Sequence, residues 1–334
     1  MARRSRPPAE RIEDILLGPA RLQALYVAVR LGIPDMVKDG PRSSTLLASS
    51  AGVHPEALHR LMRFLVADGV FAVSDGGRFA STPLSDALTM DAPGGYRLQI
   101  LNMAMRTWEA WRDVLYSVET GQPAFERVHG VSFAVDQARN GAWLARERGP
   151  VLAKAAGLLA EQLPAAGCVV VAGSGSASLL TALLKNRTGL RGFACDSGLA
   201  EEWSLESLAP LGERVRFQAW GSGVKVPGGG QLYVLAGVVR ERDDMAAVDL
   251  LAECHAQMPP GARAALLETL LPESGSAPRE TLLGDVELML TSGGKERTLA
   301  EYRGLLQRAG FRFESCTEGT AGTLSAVFAS KGLL

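Results

Sequence analysis

The stretch from residue 169 to residue 196 constrains the fold more than any other part of the chain. An apolar run at residues 169–171 leads into a loop of small residues at 173–177, an apolar helical segment follows, and a second short strand ends at Asp196. These elements make the first half of a nucleotide-binding βαβ unit. In such a unit, loop N–H groups approach the ligand, and a carboxylate about 20 residues further along accepts from a ribose. A tight turn without a ligand is the alternative that this stretch leaves open.

Composition and charge restrict the class of protein. The 334 residues are enough for two domains, and 47% hydrophobic with 21% charged residues is typical of a soluble globular protein. The 35 basic and 36 acidic residues nearly cancel, so no overall field favours nucleic acid or a membrane as a partner. The four cysteines show no CxxC spacing and the four histidines no ligand spacing. We therefore predict a cytoplasmic protein without a disulfide framework or a metal.

The amino-terminal part of the chain has the pattern of a winged helix. Residues 1–10 are expected to be a disordered tail, and residues 11–92 read as helix, turn, helix and hairpin. DNA binding is one interpretation of this pattern, but its core carries few basic residues, namely Arg60, Arg63 and Arg78. A DNA-binding module should carry a basic stripe. We therefore favour an interaction or dimerisation module. The apolar helix from Ile12, which a single small domain would struggle to cover, predicts a homodimer.

Large apolar side chains concentrate in the segment 93–163, which we assign to a helical linker and substrate-pocket region. Most of them recur at helical spacing, so a core position is the alternative to a pocket position. Met and Trp side chains also suit an apolar pocket for a flat ligand. A further helix is expected over residues 143–163. The predicted pocket residues, including one from further along the chain, are Met103, Trp108, Trp111, His129, Phe133 and Met289.

In the remaining segment, 164–334, apolar strands alternate with helical patterns. They include a helix over residues 244–257, followed by two prolines, and closing strands at residue 311 and at residues 324–328. This alternation predicts a mostly parallel, doubly wound sheet with ligands at the carboxyl ends of the strands. Glu268 ends one of these apolar runs. It is therefore a candidate for the site.

Short motifs in both halves resemble those of the class I S-adenosylmethionine-dependent small-molecule O-methyltransferases. The matching pieces are residues 31–33, 61–71, 120–125 and 293–311, of which Gly-Gly-Lys-Glu-Arg-Thr at 293–298 is the most specific. The resemblance implies an α/β Rossmann-like methyltransferase domain with a mostly helical amino-terminal winged-helix dimerisation domain. Members of the family bind flat metabolites such as phenols, naphthoquinones and polyketides. They transfer a methyl group from S-adenosylmethionine after a His removes the hydroxyl proton.

The sequence departs from the family where the cofactor binds. Val171 stands where the family's loop has an acid, Ser174 and Ala177 replace two glycines, and Trp220 and Gly221 replace its Gly-Asp pair. The resemblance assigns the family's ribose ligand to Asp196. The predicted, degenerate cofactor site is therefore Gly173, Ser174, Gly175, Asp196 and Trp220.

The sequence also departs where the family's base acts. Ala236 replaces a strand-end Lys, and the general-base His falls on Arg240, whereas Glu268 and Glu296 match the carboxylates that flank the base. A guanidinium stays protonated, so Arg240 cannot remove a phenolic proton. It can instead stabilise an oxyanion, or form a structural ion pair. The predicted catalytic residues are Arg240, Glu268 and Glu296.

These departures lead to three functional hypotheses. The first is a methyltransferase-like enzyme of secondary metabolism that has lost methyl transfer, needs no cofactor, and carries out a cyclisation, rearrangement, decarboxylation or hydroxylation-type step on an aromatic or polyketide-like substrate. The second is a SAM-dependent O-methyltransferase with an atypical cofactor loop, in which S-adenosylmethionine still binds. The third is a catalytically silent dimer partner or ligand-binding protein. A winged-helix regulator that binds DNA is a fourth hypothesis, which the amino-terminal pattern leaves open.

Overall fold

The computed structural model describes most of the chain, in two compact units. The units are Met1–Trp108 and Glu109–Leu334, so the division lies inside the segment 93–163. Of the helix expected over 143–163, residues 143–147 and 150 lie outside the described residues. The described residues are 7–92, 96–140, 148–149, 151–197, 200–221, 223–319 and 323–332.

The first unit consists of helices and one small hairpin. Its α-helices are Pro8–Leu16, Gly18–Arg30, Ile33–Val37, Ser44–Ala51, Pro55–Ala67, Pro83–Asp86 and Tyr96–Asn102, followed by a π-helical turn at Met103–Thr107. Strands β1 (Ala72–Ser74) and β2 (Arg78–Ala80) pair antiparallel. The predicted tail is corrected in part, because the first helix begins at Pro8, where a proline suits the first helical turn.

Glycines and side-chain caps set the helix boundaries of the first unit. Gly32 and Gly52 have φ of 70° and 68°, the left-handed conformation that ends a helix and favours glycine. Ser43 accepts from the Leu46 N–H group and so caps the helix Ser44–Ala51. A single core lies beneath, and it includes Met62 and Phe79, both nearly inaccessible to solvent. The mostly helical amino-terminal domain predicted from the sequence is confirmed.

The second unit is built on a mixed β-sheet of eight strands in the described residues. Its order is β5-β4-β3-β6-β7-β10-β9, with β8 paired to the end of β7. The neighbours from β5 to β7 are parallel, but β10 runs antiparallel to β7 and β9. The strands are β3 (Gly167–Ala172), β4 (Leu190–Asp196), β5 (Val215–Ala219), β6 (Leu232–Ala236), β7 (Arg263–Leu271), β8 (Arg297–Thr298), β9 (Arg312–Thr317) and β10 (Leu324–Ser330).

Helices accompany this sheet, which has a buried core on each face. Alternate residues of β3 divide between the cores, with Val170 in one and Val169 and Val171 in the other. The Rossmann-like α/β domain is confirmed.

Within the described residues, no helix has the length and apolar character needed to cross a membrane. The α-helices are Trp108–Arg112, which starts at the last residue of the first unit, and Val114–Thr120, Ala124–His129, Phe133–Arg139, Ala156–Leu159, Ser176–Leu184, Glu201–Leu208, Asp244–Gln257, Arg279–Thr291 and Leu299–Arg308.

Candidate functional site

Four of the predicted site segments leave the same edge of the sheet. Residues 173–175 follow β3, Asp196 ends β4, Trp220 follows β5 and Arg240 lies in the loop after β6. Because these strands are parallel neighbours, their carboxyl ends lie side by side. Open α/β sheets bind ligands at this edge.

The small-residue loop after β3 has a backbone that only glycine fits well. Gly173 and Gly175 have φ of 130° and 85°, and a side chain at Gly173 would collide with the carbonyl oxygen of Ala236. A Cβ at Gly175 would lie 2.8 Å from the Gly149 nitrogen. Gly175 also caps the helix Ser176–Leu184, so its N–H group lies at a helix amino terminus. The half-buried Ser174 lies between them.

Asp196, at the end of β4, is hydrogen-bonded to this loop. Its Oδ2 accepts from the Gly175 N–H group at 2.8 Å, and its Oδ1 accepts from the Ser197 N–H group at 2.7 Å. The side chain is buried, which raises the pKa of Asp196 to about 6 despite these two hydrogen bonds. The carboxylate is therefore largely ionised at neutral pH. Each of its oxygens can still accept a further hydrogen bond.

Trp220 is part of the wall of the same edge. Its backbone N–H group donates to the Asp196 carbonyl oxygen at 2.7 Å. Its half-buried indole packs against the core on one face of the sheet, as does Phe193. Val171 is fully buried in the opposite core. The structure thus places Gly173, Ser174, Gly175 and Asp196 together at this edge of the sheet. Trp220 joins them through its backbone hydrogen bond to Asp196.

The three predicted catalytic residues lie together, but they differ in exposure. Arg240 Nη1 donates to Glu296 Oε1 at 2.7 Å, and the Arg240 side chain is 26% exposed against 2% for Glu296. Glu268 is completely buried, and its Oε1 accepts from the Val239 N–H group at 2.9 Å. Of the three, Arg240 presents atoms to the outside. The two glutamates hold it and its neighbour in place.

The charges of this group follow from its burial. Burial raises the pKa of Glu268 to about 8, against the opposing effects of the Arg240 guanidinium and the Val239 N–H group. Burial also raises the pKa of Glu296, although Arg240 opposes it. Burial tends to lower the pKa of Arg240, but nearby acidic groups, of which Glu296 has the largest effect, outweigh it and the net direction is upward. At pH 7 Glu268 is thus mainly neutral and Arg240 is charged.

Four buried polar atoms of this region have no hydrogen-bond partner among the described residues. They are Arg240 Nε, Glu268 Oε2, Glu296 Oε2 and Tyr302 Oη. Buried polar atoms are normally hydrogen-bonded, and a catalytic role is one explanation for an exception. The group around Arg240 therefore has donors and acceptors that the protein itself does not use.

Arg297 is a structural residue of the site that sequence reasoning missed. Its guanidinium is fully buried and donates to Asp244 Oδ1 at 2.8 Å, to the Arg242 carbonyl at 2.7 Å and to the Val239 carbonyl at 3.3 Å. It thereby joins the segment 293–298 to the loop that carries Arg240. The sequence signal that could have identified Arg297 was the run Lys295-Glu296-Arg297 in that motif, from which only Glu296 was taken as a site residue.

Most of the predicted pocket residues of the second unit meet in one apolar cluster. Trp111, Phe133 and Met289 are half-buried and pack against a core that includes Phe125. The Phe133 ring lies edge-on to Phe125, with 5.0 Å between centroids. The exposed His129 has its ring centroid 4.2 Å from that of Phe125.

Met103 and Trp108 belong to the first unit. Met103 begins the π-helical turn Met103–Thr107, and Trp108 begins the next helical turn. Both side chains are half-buried. Their role in a pocket stays a prediction.

The helix Arg279–Thr291 links the apolar cluster to the Arg240 group. Its Met289 packs in the cluster, while its Asp285 accepts from the Glu296 N–H group at 2.8 Å. Between them, burial raises the pKa of the half-buried Glu287, which both Trp111 and Arg240 oppose. Sequence reasoning missed this helix and both acids. One helix thus carries residues of the apolar and the charged parts of the site.

Within the described residues, no three His, Cys, Asp or Glu side chains are grouped to hold a metal ion.

Comparisons with known proteins agree with this fold along nearly the whole chain. A family model of the O-methyltransferase domain matches residues 111–312, and a model of the O-methyltransferase dimerisation domain matches residues 13–91. The mitomycin biosynthesis 6-O-methyltransferase of Streptomyces lavendulae is 30% identical over 327 residues, which cover 95% of this chain and 93% of that protein.

Solved structures give the same result. The structure of the mitomycin 7-O-methyltransferase MmcR is 29% identical, has a TM-score of 0.89, and is matched over 97% of this chain and 98% of its own. An O-methyltransferase from neocarzinostatin biosynthesis, in complex with S-adenosylmethionine and 2-hydroxy-5-methyl naphthoic acid, is 27% identical with a TM-score of 0.77. That match covers 93% of this chain and 96% of the other.

Two predictions made from the sequence are wrong. The predicted loss of methyl transfer, with a SAM-independent reaction in its place, conflicts with similar proteins that are named methyltransferases. The predicted lack of a cofactor conflicts with a related structure that contains S-adenosylmethionine. A physical reason is that loop N–H groups do not depend on side-chain identity, so Ser174 supplies the same donor as a glycine. From the domain match and the 30% identity over nearly its full length, this chain belongs to the O-methyltransferase family.

Proposed function

We propose that this protein transfers the methyl group of S-adenosylmethionine to a hydroxyl group on an aromatic natural-product acceptor. The observation that carries the proposal is the loop at residues 173–175, whose backbone closes on the buried Asp196 carboxylate at 2.8 Å. The loop and the carboxylate lie at the sheet edge that also holds Arg240. An O-methyltransferase needs a nucleoside site and an acceptor site at one such edge.

The residues present fit the cofactor. The loop leaves no room for a side chain at Gly173 and places the Gly175 N–H group at a helix amino terminus. Asp196 keeps acceptor capacity for ribose hydroxyls beyond its two backbone hydrogen bonds. When bound, S-adenosylmethionine supplies an electrophilic methyl group on a sulfonium sulfur. Gly173, Ser174, Gly175, Asp196 and Trp220 would hold it.

The acceptor would lie against the apolar cluster of Trp111, Phe133 and Met289. Their half-buried faces offer an apolar surface to a flat ring. The neocarzinostatin relative holds a naphthoic acid, which supports a fused aromatic acceptor for this chain as well. His129 borders the cluster through its contact with Phe125. Arg240, positioned by Glu268 and Glu296, would meet the reacting oxygen.

The active form is proposed to be a homodimer. The helix Pro8–Leu16 has no buried residue, and Ile15 and Leu16 are each 72% exposed. The dimerisation-domain model covers this face, since it begins at residue 13. Burial of these side chains against a second copy would remove them from water.

Calorimetric titration with S-adenosylmethionine and S-adenosylhomocysteine tests the cofactor site. We expect both to bind to the wild type with micromolar affinity or better, and Asp196→Asn to weaken binding about tenfold, since a charged acceptor is replaced by a neutral one. Asp249→Asn, at an exposed position on the helix Asp244–Gln257, is the matched control and should bind as the wild type does. Absence of binding heat at millimolar ligand would contradict the proposed function.

A further inference from the structure

The group that faces outward at the reaction site is a cation that cannot accept a proton. Arg240 is 26% exposed, whereas Glu296 is 2% exposed and Glu268 is completely buried. A guanidinium does not lose its proton in proteins. We propose that Arg240 binds the acceptor hydroxyl as an oxyanion, so that the enzyme methylates hydroxyls acidic enough to ionise near neutral pH. A hydroxyl conjugated with a ring carbonyl belongs to this class. The inference rests on the proposed function and deepens it.

The titratable groups that face Arg240 come from several elements. Glu296 is its ion-pair partner at 2.7 Å, and Glu241 on the neighbouring position is engaged by Arg148 and Gln137 at 3.3 Å each. The other titratable groups that act on it come from three further elements, namely Glu268 on β7, Glu287 on the helix Arg279–Thr291 and Tyr302 on the helix Leu299–Arg308. Burial raises the pKa of both Glu268 and Tyr302 and so favours their neutral forms, which leaves Glu296 as the carboxylate in direct contact with Arg240.

Arg240 also has unused hydrogen-bond donors. The bond to Glu296 uses one N–H group, and its buried Nε has no partner among the described residues. A guanidinium carries several donors in a fixed plane and forms paired bonds to two neighbouring oxygens. An oxyanion with an adjacent carbonyl oxygen presents two such acceptors. The unused donors of Arg240 therefore fit an ionised hydroxyl beside a carbonyl. The replacement of a general base by arginine favours the same class of acceptor.

The reaction balances without a proton acceptor on the protein. The acceptor loses its proton to solvent before it reacts, and the oxyanion's electron pair forms the new O–CH₃ bond. The S–CH₃ bond of S-adenosylmethionine breaks, and its electron pair stays on sulfur to give S-adenosylhomocysteine. Arg240 remains protonated throughout. Its charge lowers the pKa of the bound hydroxyl, because an opposite charge nearby favours the ionised form.

The pH dependence of methyl transfer tests the inference. Two hydroxynaphthoquinones would be compared on the wild type. One has its hydroxyl on the quinone ring, conjugated with a carbonyl and with a pKa below 7, and the other has its hydroxyl on the second ring and a pKa above 7. The break of a pH profile is the pH below which the rate constant begins to fall. Because kcat/KM reports the free reactants, its break should lie at the pKa of each acceptor, and kcat/KM should fall about tenfold per pH unit below that break. Because kcat reports the bound complex, its break should lie about 1 to 3 pH units lower.

Substitution of Arg240 separates its charge from a merely structural role. In Arg240→Gln the kcat break should move up to the free acceptor's pKa, and kcat should fall about 100-fold. Arg308→Gln, an exposed arginine at the end of the helix Leu299–Arg308, is the matched control and should change neither break. Arg240→His supplies a neutral imidazole and should raise turnover of the less acidic acceptor. If Arg240→Gln does not fold, the wild-type profiles decide.

A break at one common pH for both acceptors would overturn the inference. Loss of that common break in Glu268→Gln or in His129→Gln would identify the base that acts instead. Methyl transfer with such a common break leaves the proposed function intact. Binding of S-adenosylmethionine without transfer to either acceptor would contradict the proposed function, and this inference with it.

Discussion

Glu268 is a carboxyl group that the fold buries in its neutral form. Its side chain is inaccessible to solvent, and burial raises the pKa to about 8 from an ordinary value of 4.5. An acid whose folded-state pKa is raised stabilises the fold below its unfolded pKa and loses that contribution as pH rises to the folded value. For Glu268 this window runs from 4.5 to about 8.

We expect the free energy of unfolding of the wild type to fall with pH across this window. The slope due to Glu268 is at most about 1.4 kcal/mol per pH unit, and Glu268→Gln should remove it because the amide does not ionise. Urea denaturation between pH 5 and pH 8 measures the difference. Glu280→Gln, at an exposed position on the helix Arg279–Thr291, serves as the control. Parallel wild-type and Glu268→Gln curves would show that Glu268 is charged in the folded state.

The exposure of single residues explains much of what sequence reasoning could and could not predict about the site. The positions of Arg240, Glu268 and Glu296 at one edge followed from strand order and the family resemblance. The complete burial of Glu268 could not be predicted in the same way, because it depends on how other elements pack over the end of the strand. The departure at Ser174 was also overvalued, since a serine supplies the same backbone N–H group as a glycine.

At the scale of elements, local signals predicted the ends of some helices well. The helix Asp244–Gln257 was predicted with both ends, because Asp243 caps it by accepting from the Ala246 N–H group and prolines follow it. The helix Arg279–Thr291 was missed, and Gly284 in its middle lowers its helix propensity. The strand β10 was predicted, but its antiparallel direction was not, because a buried apolar run reads the same in either direction.

The segment 293–298 and the loop after β6 act as one structural element through Arg297. Replacement of Arg297 by Met should destabilise the fold by about 2 to 4 kcal/mol, because the backbone carbonyls of Arg242 and Val239 lose this buried donor. Asp244 is about half exposed and keeps Lys295 as a partner, so it adds little to the loss. Equilibrium denaturation measures the loss, with Arg308→Met as the exposed control. A cost below about 1 kcal/mol would mean that the two segments are held together without this guanidinium.

The whole molecule is expected to function as a dimer through its first unit. Ile15→Glu and Leu16→Glu place charges on the exposed apolar face of the helix Pro8–Leu16 and should shift the protein to monomers in sedimentation velocity. The exposed Glu13→Lys on the same helix is a control that leaves the apolar side chains in place. A wild-type monomer at micromolar concentration, or dimers that persist in both variants, would contradict this interface.

The central claim for the molecule is the proposal that it is a SAM-dependent O-methyltransferase. The direct measurement is product analysis by mass spectrometry after incubation with S-adenosylmethionine carrying a deuterated methyl group and a panel of hydroxylated naphthoic acids and hydroxyquinones. We predict a product that carries the deuterated methyl group on oxygen, with one equivalent of S-adenosylhomocysteine formed per product. An unmethylated panel, with the cofactor bound and no S-adenosylhomocysteine formed, would contradict the claim.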